Sequence, residues 1–494
     1  GAFGLGAVLV FVLAYGVAIF FFQELAVAGL IGLFAFLVFL QYPALGLYTT
    51  VGLLLLQGSA GVLTIVTEQA PIAITVAQLS GAAALAAWLL RTLTRKMPFY
   101  INAPVVLAGA FIAWMLLGTV LSPETAEQMP HFARLAVRFG LFLLAVNLLT
   151  TARAMHWYLA VLVLATATMA GVAVLQYFVP QYQVAGAEAW GLEGLTDAAY
   201  IDPESLEGEP AIRVSGRAGH STWLATIILL VLPLHLYWLA ITRDVRLKAF
   251  LLVAIAIALT ALVLTFTRTG LVVGLVLGAL LLYKRFYSLS PLKVFAFLAV
   301  LSLSWLVLPG PYKERVLSPQ QYTQSESVQS RLDMQQKGIQ YALDAPLVGH
   351  GAGGFGIHYI EENSESAQVM ASMVRYAGWE PVFVGVHNMY LEIASDSGFI
   401  GLALMLAFLA VVISGVMRQE QAYKAAGDKW GAALASSLWV SLVAFVVIAV
   451  FLHALHREIW WMVAAAAVAL ALHKPDFRAG LGRLPISKEA PRPQ

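Results

Sequence analysis

The sequence predicts an all-α polytopic integral membrane protein with about 12–14 transmembrane helices and a long helical periplasmic loop that caps the outer face. Two observations predict this class. The 494 residues are 60% hydrophobic and only 11% charged, whereas about a quarter of a soluble protein is charged. The apolar runs also reach about 17–25 residues, which is the length that crosses a bilayer as a helix. Membrane lipids are therefore expected partners.

Charge and cysteine content narrow the function classes. The net charge of +2 is too small to suggest a nucleic-acid partner. The chain has no cysteine, which excludes disulfides, thiolate chemistry and cysteine-ligated zinc. The apolar start at residues 1–22 lacks an A-x-A-type cleavage site and is interpreted as a spanning helix rather than a signal peptide.

The apolar runs predict the individual helices in order. They lie near residues 5–22, 25–40, 45–66, 71–90, 104–121, 133–149, 157–178, 222–241, 249–266, 270–283, 294–308, 390–416, 430–452 and 459–472. The first runs are only weakly separated from one another. If these N-terminal runs pair differently, the number of transmembrane helices falls to about 12. We expect residues 1–494 to form a single transmembrane domain.

Lysine and arginine in the short loops predict the orientation, because basic loops stay in the cytoplasm. These residues cluster in alternate loops, at 91–96, 153, 243–248, 284–293, 418–429 and in the tail 474–494. The tail and these loops are therefore expected to be cytoplasmic. The chain then has two long periplasmic loops, 179–219 and 309–389. The first is acidic at 188–209, and the second carries a polar, helix-like piece at 325–343, which favours a folded cap bearing the active-site region.

Several arginines lie close to the outer ends of the apolar runs. Arg217 lies in SGRAGHSTW, and Arg268 lies in TFTRTG between two runs. Ionisable groups at bilayer depth are functional candidates by default, and a guanidinium can donate two parallel hydrogen bonds to a phosphate. These residues therefore predict an anion site. Arg134 and Arg138 are explained equally well as anchors whose charged ends reach the membrane surface.

Other polar patterns leave alternatives open. GAGGFG at 351–356 fits a dinucleotide-binding pattern, but no βαβ unit surrounds it, so a tight turn is favoured. The spacing of His350, His358 and His387 matches no familiar zinc site. Glu392 and Asp396 form one polar stripe on a helix, which predicts either hydrogen bonds between helices or contact with a substrate.

The stretch VHNMYLEIASDSGFIG at 386–401 introduces a family resemblance. His387 and Asn388, nine residues, Gly398, two residues and Gly401 fit the H-[NSQ]-x9-G-x-x-G pattern of the O-antigen ligase and polymerase superfamily. The resemblance is strongest to an O-antigen ligase.

Three further segments resemble the same family in the same order. Residues 217–222 resemble its R-x-x-G-x-x-N segment, with Ser-Thr in place of the usual Pro-Asn. Residues 267–268 resemble its S-x-S-R segment, and residues 330–331 with 345–355 resemble its S-R…P-L-x-G-x-G-x-x-x-F block. The resemblance covers residues 213–401, roughly the second half of the chain.

The resemblance implies an inverting, metal-independent glycosyltransferase without a cofactor, at the periplasmic face of the bacterial inner (cytoplasmic) membrane. Its donor would be a glycan on undecaprenyl diphosphate, and its acceptor a sugar hydroxyl of the lipid A core. The alternatives are a polymerase that joins lipid-linked repeat units and an oligosaccharyltransferase that modifies protein. A transporter or flippase is a different class, but it should show internal symmetry in both halves.

The resemblance also gives individual residues a role. His387 is the expected catalytic base, since an imidazole titrates near about 6.5 and is mostly neutral at neutral pH. Arg217, Arg268 and Arg331 are expected to bind the diphosphate. No metal ligand is expected. The lesser candidates for substrate binding are Arg213, Arg134, Arg138, His220, Asn388 and Tyr390.

The predicted orientation can be tested with single cysteines, because the chain has none of its own. Glu204→Cys and Ser366→Cys should react with an impermeant thiol reagent in intact spheroplasts, and Ala426→Cys should react only after lysis. Labelling of Ala426→Cys but not Ser366→Cys would reverse the orientation.

Overall fold

A computed structural model describes residues 23–56, 62–65, 72–94, 96–179, 200–201, 212–216, 218, 220–284, 326–362 and 384–473. Helices dominate this part of the chain. They are α1 (Gln23–Gln41), α2 (Pro43–Leu56), α3 (Val76–Leu93), α4 (Ala103–Leu121), α5 (Thr125–Leu148), α6 (Ala152–Phe178), α7 (Ser221–Ile241), α8 (Val245–Leu264), α9 (Arg268–Tyr283), α10 (Glu326–Asp344), α11 (Gly354–Glu362), α12 (Met389–Ala425), α13 (Lys429–Ile448) and α14 (Glu458–Leu470). Two short antiparallel strand pairs join β1 (Val62–Ile65) to β2 (Ile72–Thr75) and β3 (Tyr200–Ile201) to β4 (Ile212–Arg213).

The helices confirm the predicted fold class. Within the described residues, eight of them, α3 to α8 with α12 and α13, are long and apolar enough to cross a membrane. Shorter apolar helices accompany them, among them α2, α9 and α14. The protein is therefore an all-α polytopic membrane protein. The helices predicted at 5–22 and 294–308 lie outside the described residues.

Some predicted helix ends were wrong. The run at 45–66 ends as a helix at Leu56, and the predicted helix at 71–90 begins only at Val76, because β1 pairs with β2 between them. These strands are rich in β-branched residues, which favour extended backbone, and hydropathy alone does not register that preference. In the other direction, α5 begins at Thr125 and includes Pro130, although its apolar run starts only at 133.

The described chain divides into two compact units, one of residues 1–53 and 61–99, the other of residues 54–60 and 100–494. In the first unit, the Arg91 guanidinium donates to the carbonyls of Leu40 at 2.7 Å and Gln41 at 2.9 Å. These bonds satisfy carbonyls at the end of α1 that have no partner within the helix. The single transmembrane domain over 1–494 stays a prediction.

In the second unit, every residue of α14 from Ile459 to Leu470 is buried. The indole of Trp460 stacks on Phe445 with ring centroids 4.7 Å apart, and the Tyr158 hydroxyl donates to the Met462 carbonyl at 3.1 Å. A run of alanines, 464–467, is fully buried. Small side chains let helices approach closely, which is how helices associate inside a membrane. This core fixes the loop between α13 and α14.

Helix α12 is broken at Gly398, where φ is 65° and ψ is −177°. This conformation is accessible essentially to glycine alone. A glycine-rich turn fills the break: the Phe399 N–H donates to the Pro346 carbonyl at 2.7 Å, and the Gly351 N–H donates to the Asp396 carbonyl at 2.8 Å. The GAGGFG segment is thus a turn that leads into α11.

Asp396 links this turn to α12. Its carboxylate is 1% exposed and accepts the N–H groups of Gly353 at 2.8 Å and Phe355 at 2.9 Å. Gln128 on α5 donates to the His350 carbonyl at 2.6 Å, so a third element holds the turn. The Asp396 carboxylate, one member of the predicted polar stripe, therefore makes hydrogen bonds within the protein.

Helices α10 and α11 pack on the start of α12 and form what we call the cap, residues 326–362. The predicted polar helix at 325–343 corresponds to α10. An apolar cluster joins the cap to the segment before α12; its members are Met334, Tyr341, Phe355, Tyr359, Val384 and Val386. The cap therefore adjoins the residues that lead into the mouth of α12.

The break at Gly398 should be essential for stability. We expect Gly398→Ala to lower the free energy of unfolding by about 1–3 kcal/mol or more, because a Cβ would strain the backbone and collide with the Leu347 carbonyl. On the same helix, Gly415 has open space around it, so Gly415→Ala should stabilise the helix by up to about 1 kcal/mol. Unfolding in detergent measures both, and equal stability of the two variants would contradict this role for Gly398.

Candidate active site

His387 lies immediately before α12, with φ at +55°. Left-handed backbone is unusual for a residue with a side chain and persists where the surroundings enforce it, often at active sites. Here the surroundings do so. The Asn388 side chain caps α12 by accepting the N–H groups of Tyr390 at 3.0 Å and Leu391 at 3.2 Å. The Met389 N–H donates to the Ala449 carbonyl at 2.8 Å. The base candidate therefore has a fixed backbone.

Asn388 and Tyr390 both have structural contacts. Besides the capping bonds of Asn388, the Tyr390 hydroxyl donates to the Val446 carbonyl of α13 at 2.9 Å. Side-chain caps of this kind contribute about 1 kcal/mol to a helix. These contacts explain how both residues hold the mouth of α12. A role in substrate binding stays a prediction.

The His387 imidazole is half-buried, and its Nδ1 has no hydrogen-bond partner within the described part of the chain. Burial first, and then the charge of Arg331 and the nearby His220, lower the pKa of His387 to about 4. Both effects disfavour the protonated ring. His387 is consequently a neutral imidazole at neutral pH.

The structure brings three of the predicted site residues together. Arg331, exposed on α10, and His220 both act electrostatically on His387. His220 also caps α7, where its Nδ1 accepts the Thr222 N–H at 3.1 Å.

Arg268, another predicted site residue, is half-buried and is the first residue of α9.

The side chains of two other predicted site residues, Arg217 and Arg213, are not described by the structure. Arg217 lies outside the described residues, and Arg213 belongs to β4 but its side chain is not among those described. Their expected diphosphate contacts stay predictions.

Arg134 and Arg138 lie together on α5. Arg134 contacts His131 Nδ1 at 2.9 Å. Arg138 pairs with Glu458 and donates to the carbonyls of His456 at 3.0 Å and Arg134 at 3.0 Å. Arg138 thus joins α5 to the start of α14, which gives it a clear structural role beside its candidacy for substrate binding.

The segment HALHRE at 453–458 was not among the predicted site residues. The His453 ring lies 5.2 Å from the His387 ring, centroid to centroid, and 5.3 Å from the Trp223 ring. The Arg457 guanidinium lies over the Trp223 indole, 4.0 Å from the ring centroid. A usable signal was present, since four ionisable residues within six positions separate two apolar runs.

Glu392 is the second member of the polar stripe on α12. It is 1% exposed, and its Oε1 lies 3.8 Å from Nε2 of His456. Neither carboxylate oxygen has a hydrogen-bond partner among the described residues. Glu392 therefore faces the same loop that supports His387.

The arrangement can support proton transfer beside a negatively charged ligand. A neutral imidazole can accept a proton, and the nearby guanidinium of Arg331 can stabilise negative charge that develops on a leaving group. Over the described ranges, no three His, Asp or Glu side chains are grouped so that they could hold a metal ion.

A comparison with protein families finds a match to one segment in the second half of the chain. No curated protein matches the sequence. A family model described as O-antigen ligase matches residues 253–406. The matched segment includes Arg268, Arg331, the glycine-rich turn and His387, and it ends beyond the break in α12. Residues 253–406 are therefore similar to the O-antigen ligase family, which confirms the resemblance to the O-antigen ligase superfamily.

Proposed function

We propose that this protein is an O-antigen ligase that transfers a glycan from undecaprenyl diphosphate to a sugar hydroxyl of the lipid A core. The reaction would take place at the periplasmic face of the inner membrane, because the positive-inside rule puts the loops around His387 on that side. One observation carries the proposal: a neutral, half-buried histidine with a fixed backbone lies beside a cation at the mouth of α12, inside the matched segment.

In the proposed reaction, His387 accepts the proton of the acceptor hydroxyl while the hydroxyl oxygen attacks the anomeric carbon. Attack from the side opposite the diphosphate inverts the configuration of that carbon. The bond between the anomeric carbon and the diphosphate oxygen breaks, and its electron pair stays on the diphosphate. The leaving group gains negative charge as this happens.

The arginines would stabilise that charge. Arg268 and Arg331, with Arg217, offer planar guanidinium groups that suit phosphate oxygens. Fixed cations in a partly dry cleft stabilise a developing anion more than they would in water. In this scheme they supply the charge that a metal ion supplies in other transferases, so the proposed reaction is metal-independent.

The nature of the product tests the proposal. Purified protein given lipid-linked donor and lipid A core should transfer one glycan to each core. Without core, the donor chains should keep their length, because a ligase does not use a second donor as its acceptor. Progressive lengthening of the donor chains without core would contradict the ligase assignment and support a polymerase.

Replacing His387 tests its role as base. We expect His387→Ala to lower kcat by about 10²–10⁴-fold, the usual contribution of a general base, and to leave donor binding intact because the arginines hold the diphosphate. The matched control is His358→Ala, which removes another half-buried histidine, from α11, and should keep normal turnover.

The same assay gives the pH dependence. A base with a lowered pKa is active above that pKa and is lost as the pH falls through it. The wild-type rate should therefore stay level below neutral pH and fall on the acid side with a midpoint near 4. Normal turnover of His387→Ala would remove His387 from the proposed role. A midpoint near the unperturbed value of about 6.5 would instead contradict the lowering of its pKa by burial.

A further inference from the structure

Four side chains from three parts of the fold form a continuous stack that ends on His387. The His453 ring meets the His387 ring at an interplanar angle of 72° and the Trp223 ring at 80°. Both are edge-to-face arrangements, which aromatic rings prefer. Arg457 covers the Trp223 indole at 4.0 Å. The stack therefore brings the loop between α13 and α14 directly against the candidate base, and Trp223 of α7 lies between His453 and Arg457 of that loop.

The backbone before His387 also rests on His453. A Cβ on Gly385 would lie 2.6 Å from Cγ of His453, so the imidazole packs directly against the chain two residues before His387. On the other side, Met389 is bound to Ala449 of the same loop. The loop thus contacts the chain on both sides of His387, where the left-handed backbone needs support.

The loop itself is rigidly held. Three consecutive carbonyls, at 454, 455 and 456, each accept a side-chain hydrogen bond. Trp460 donates to Ala454 at 2.8 Å, Trp461 donates to Leu455 at 3.1 Å, and Arg138 donates to His456 at 3.0 Å. Both indoles are fully buried. The backbone around His453 therefore cannot shift without breaking these side-chain hydrogen bonds.

We propose that His453 is a positioning residue for His387, held in place by Trp223 and Arg457, and that it fixes the plane of the His387 ring toward the acceptor hydroxyl. This inference rests on the proposed function of His387 as a base. A general base must lie within hydrogen-bond reach of the proton that it removes. A displacement of about 1 Å can cost about 10²-fold in rate, so a rotating imidazole would be a poor base.

The charges around His453 are compatible with this role. The groups that act on it are His387 before α12, His220 at the start of α7, Arg331 on α10 and Arg457 in its own loop. Burial first, and then these groups, hold the pKa of His453 well below its usual range. His453 therefore stays neutral and supports His387 by contact, without putting a second positive charge beside it.

Two variants test the role by different routes. His453→Ala removes the ring, and Gly385→Ala pushes against the ring without changing it. Both should lower kcat by about 10²-fold while the KM for the lipid-linked donor changes little. His156→Ala is the matched control: His156 is another buried histidine, bonded to the Tyr237 hydroxyl at 2.8 Å. It should lower stability and leave kcat unchanged in folded protein.

A second measurement does not depend on turnover. Diethyl pyrocarbonate modifies neutral imidazoles, and mass spectrometry of digested protein follows its reaction at His387. The reaction rate at His387 should rise in both variants, because His453→Ala removes the neighbouring ring and Gly385→Ala displaces it. The rate should stay at the wild-type value in His156→Ala. An unchanged rate in both site variants would overturn the proposal.

A double variant separates this inference from the proposed function. In a His387→Ala background, adding His453→Ala should cause no further loss of kcat, since a positioning residue acts only through the base. Independent, multiplicative losses would overturn the positioning role while leaving His387 as the base. If His387→Ala alone kept normal turnover, the base assignment would fail, and the modification rate would still decide whether His453 orients the His387 ring.

Discussion

The break in α12 is the constraint on which the rest of the site depends. A helix that continued through Gly398 would leave no space for the glycine-rich turn, and the carbonyls of Ser395 and Asp396 would not be available to the N–H groups of His350 and Gly351. Asp396 then ties the turn and the start of α11 to the first segment of α12. One local conformation therefore fixes the cap, the turn and the helix mouth relative to each other.

This fixed mouth makes the chemistry of His387 possible. A buried imidazole near a cation loses its proton readily, which keeps it available as a base in the proposed reaction. The same cations would attract a diphosphate. Two of the nearby acids are engaged elsewhere, since Glu458 pairs with Arg138 and the Asp396 carboxylate accepts two backbone N–H groups. The third, Glu392, lies 3.8 Å from His456. The charge balance of the site thus favours an anionic ligand.

Hydropathy was sufficient for the fold class, and the motif around His387 was sufficient for the superfamily. Hydropathy reports the length of an apolar run and not its backbone conformation, so it missed the strand pair at 62–75 and the break at Gly398. Sequence spacing also could not predict that His453 meets His387. That contact joins residues far apart in the chain. It depends on two buried indoles, Trp460 and Trp461, which hold the loop that carries His453.

The central claim is that the lipid diphosphate binds beside His387. Cryo-electron microscopy of the purified protein with a non-transferable undecaprenyl diphosphate-linked glycan tests it most directly. Diphosphate density is expected in contact with Arg268 or Arg331, with the anomeric carbon facing His387. Density at the opposite end of α12, beside Lys284 and Lys424 where both pair with Glu420, would contradict it.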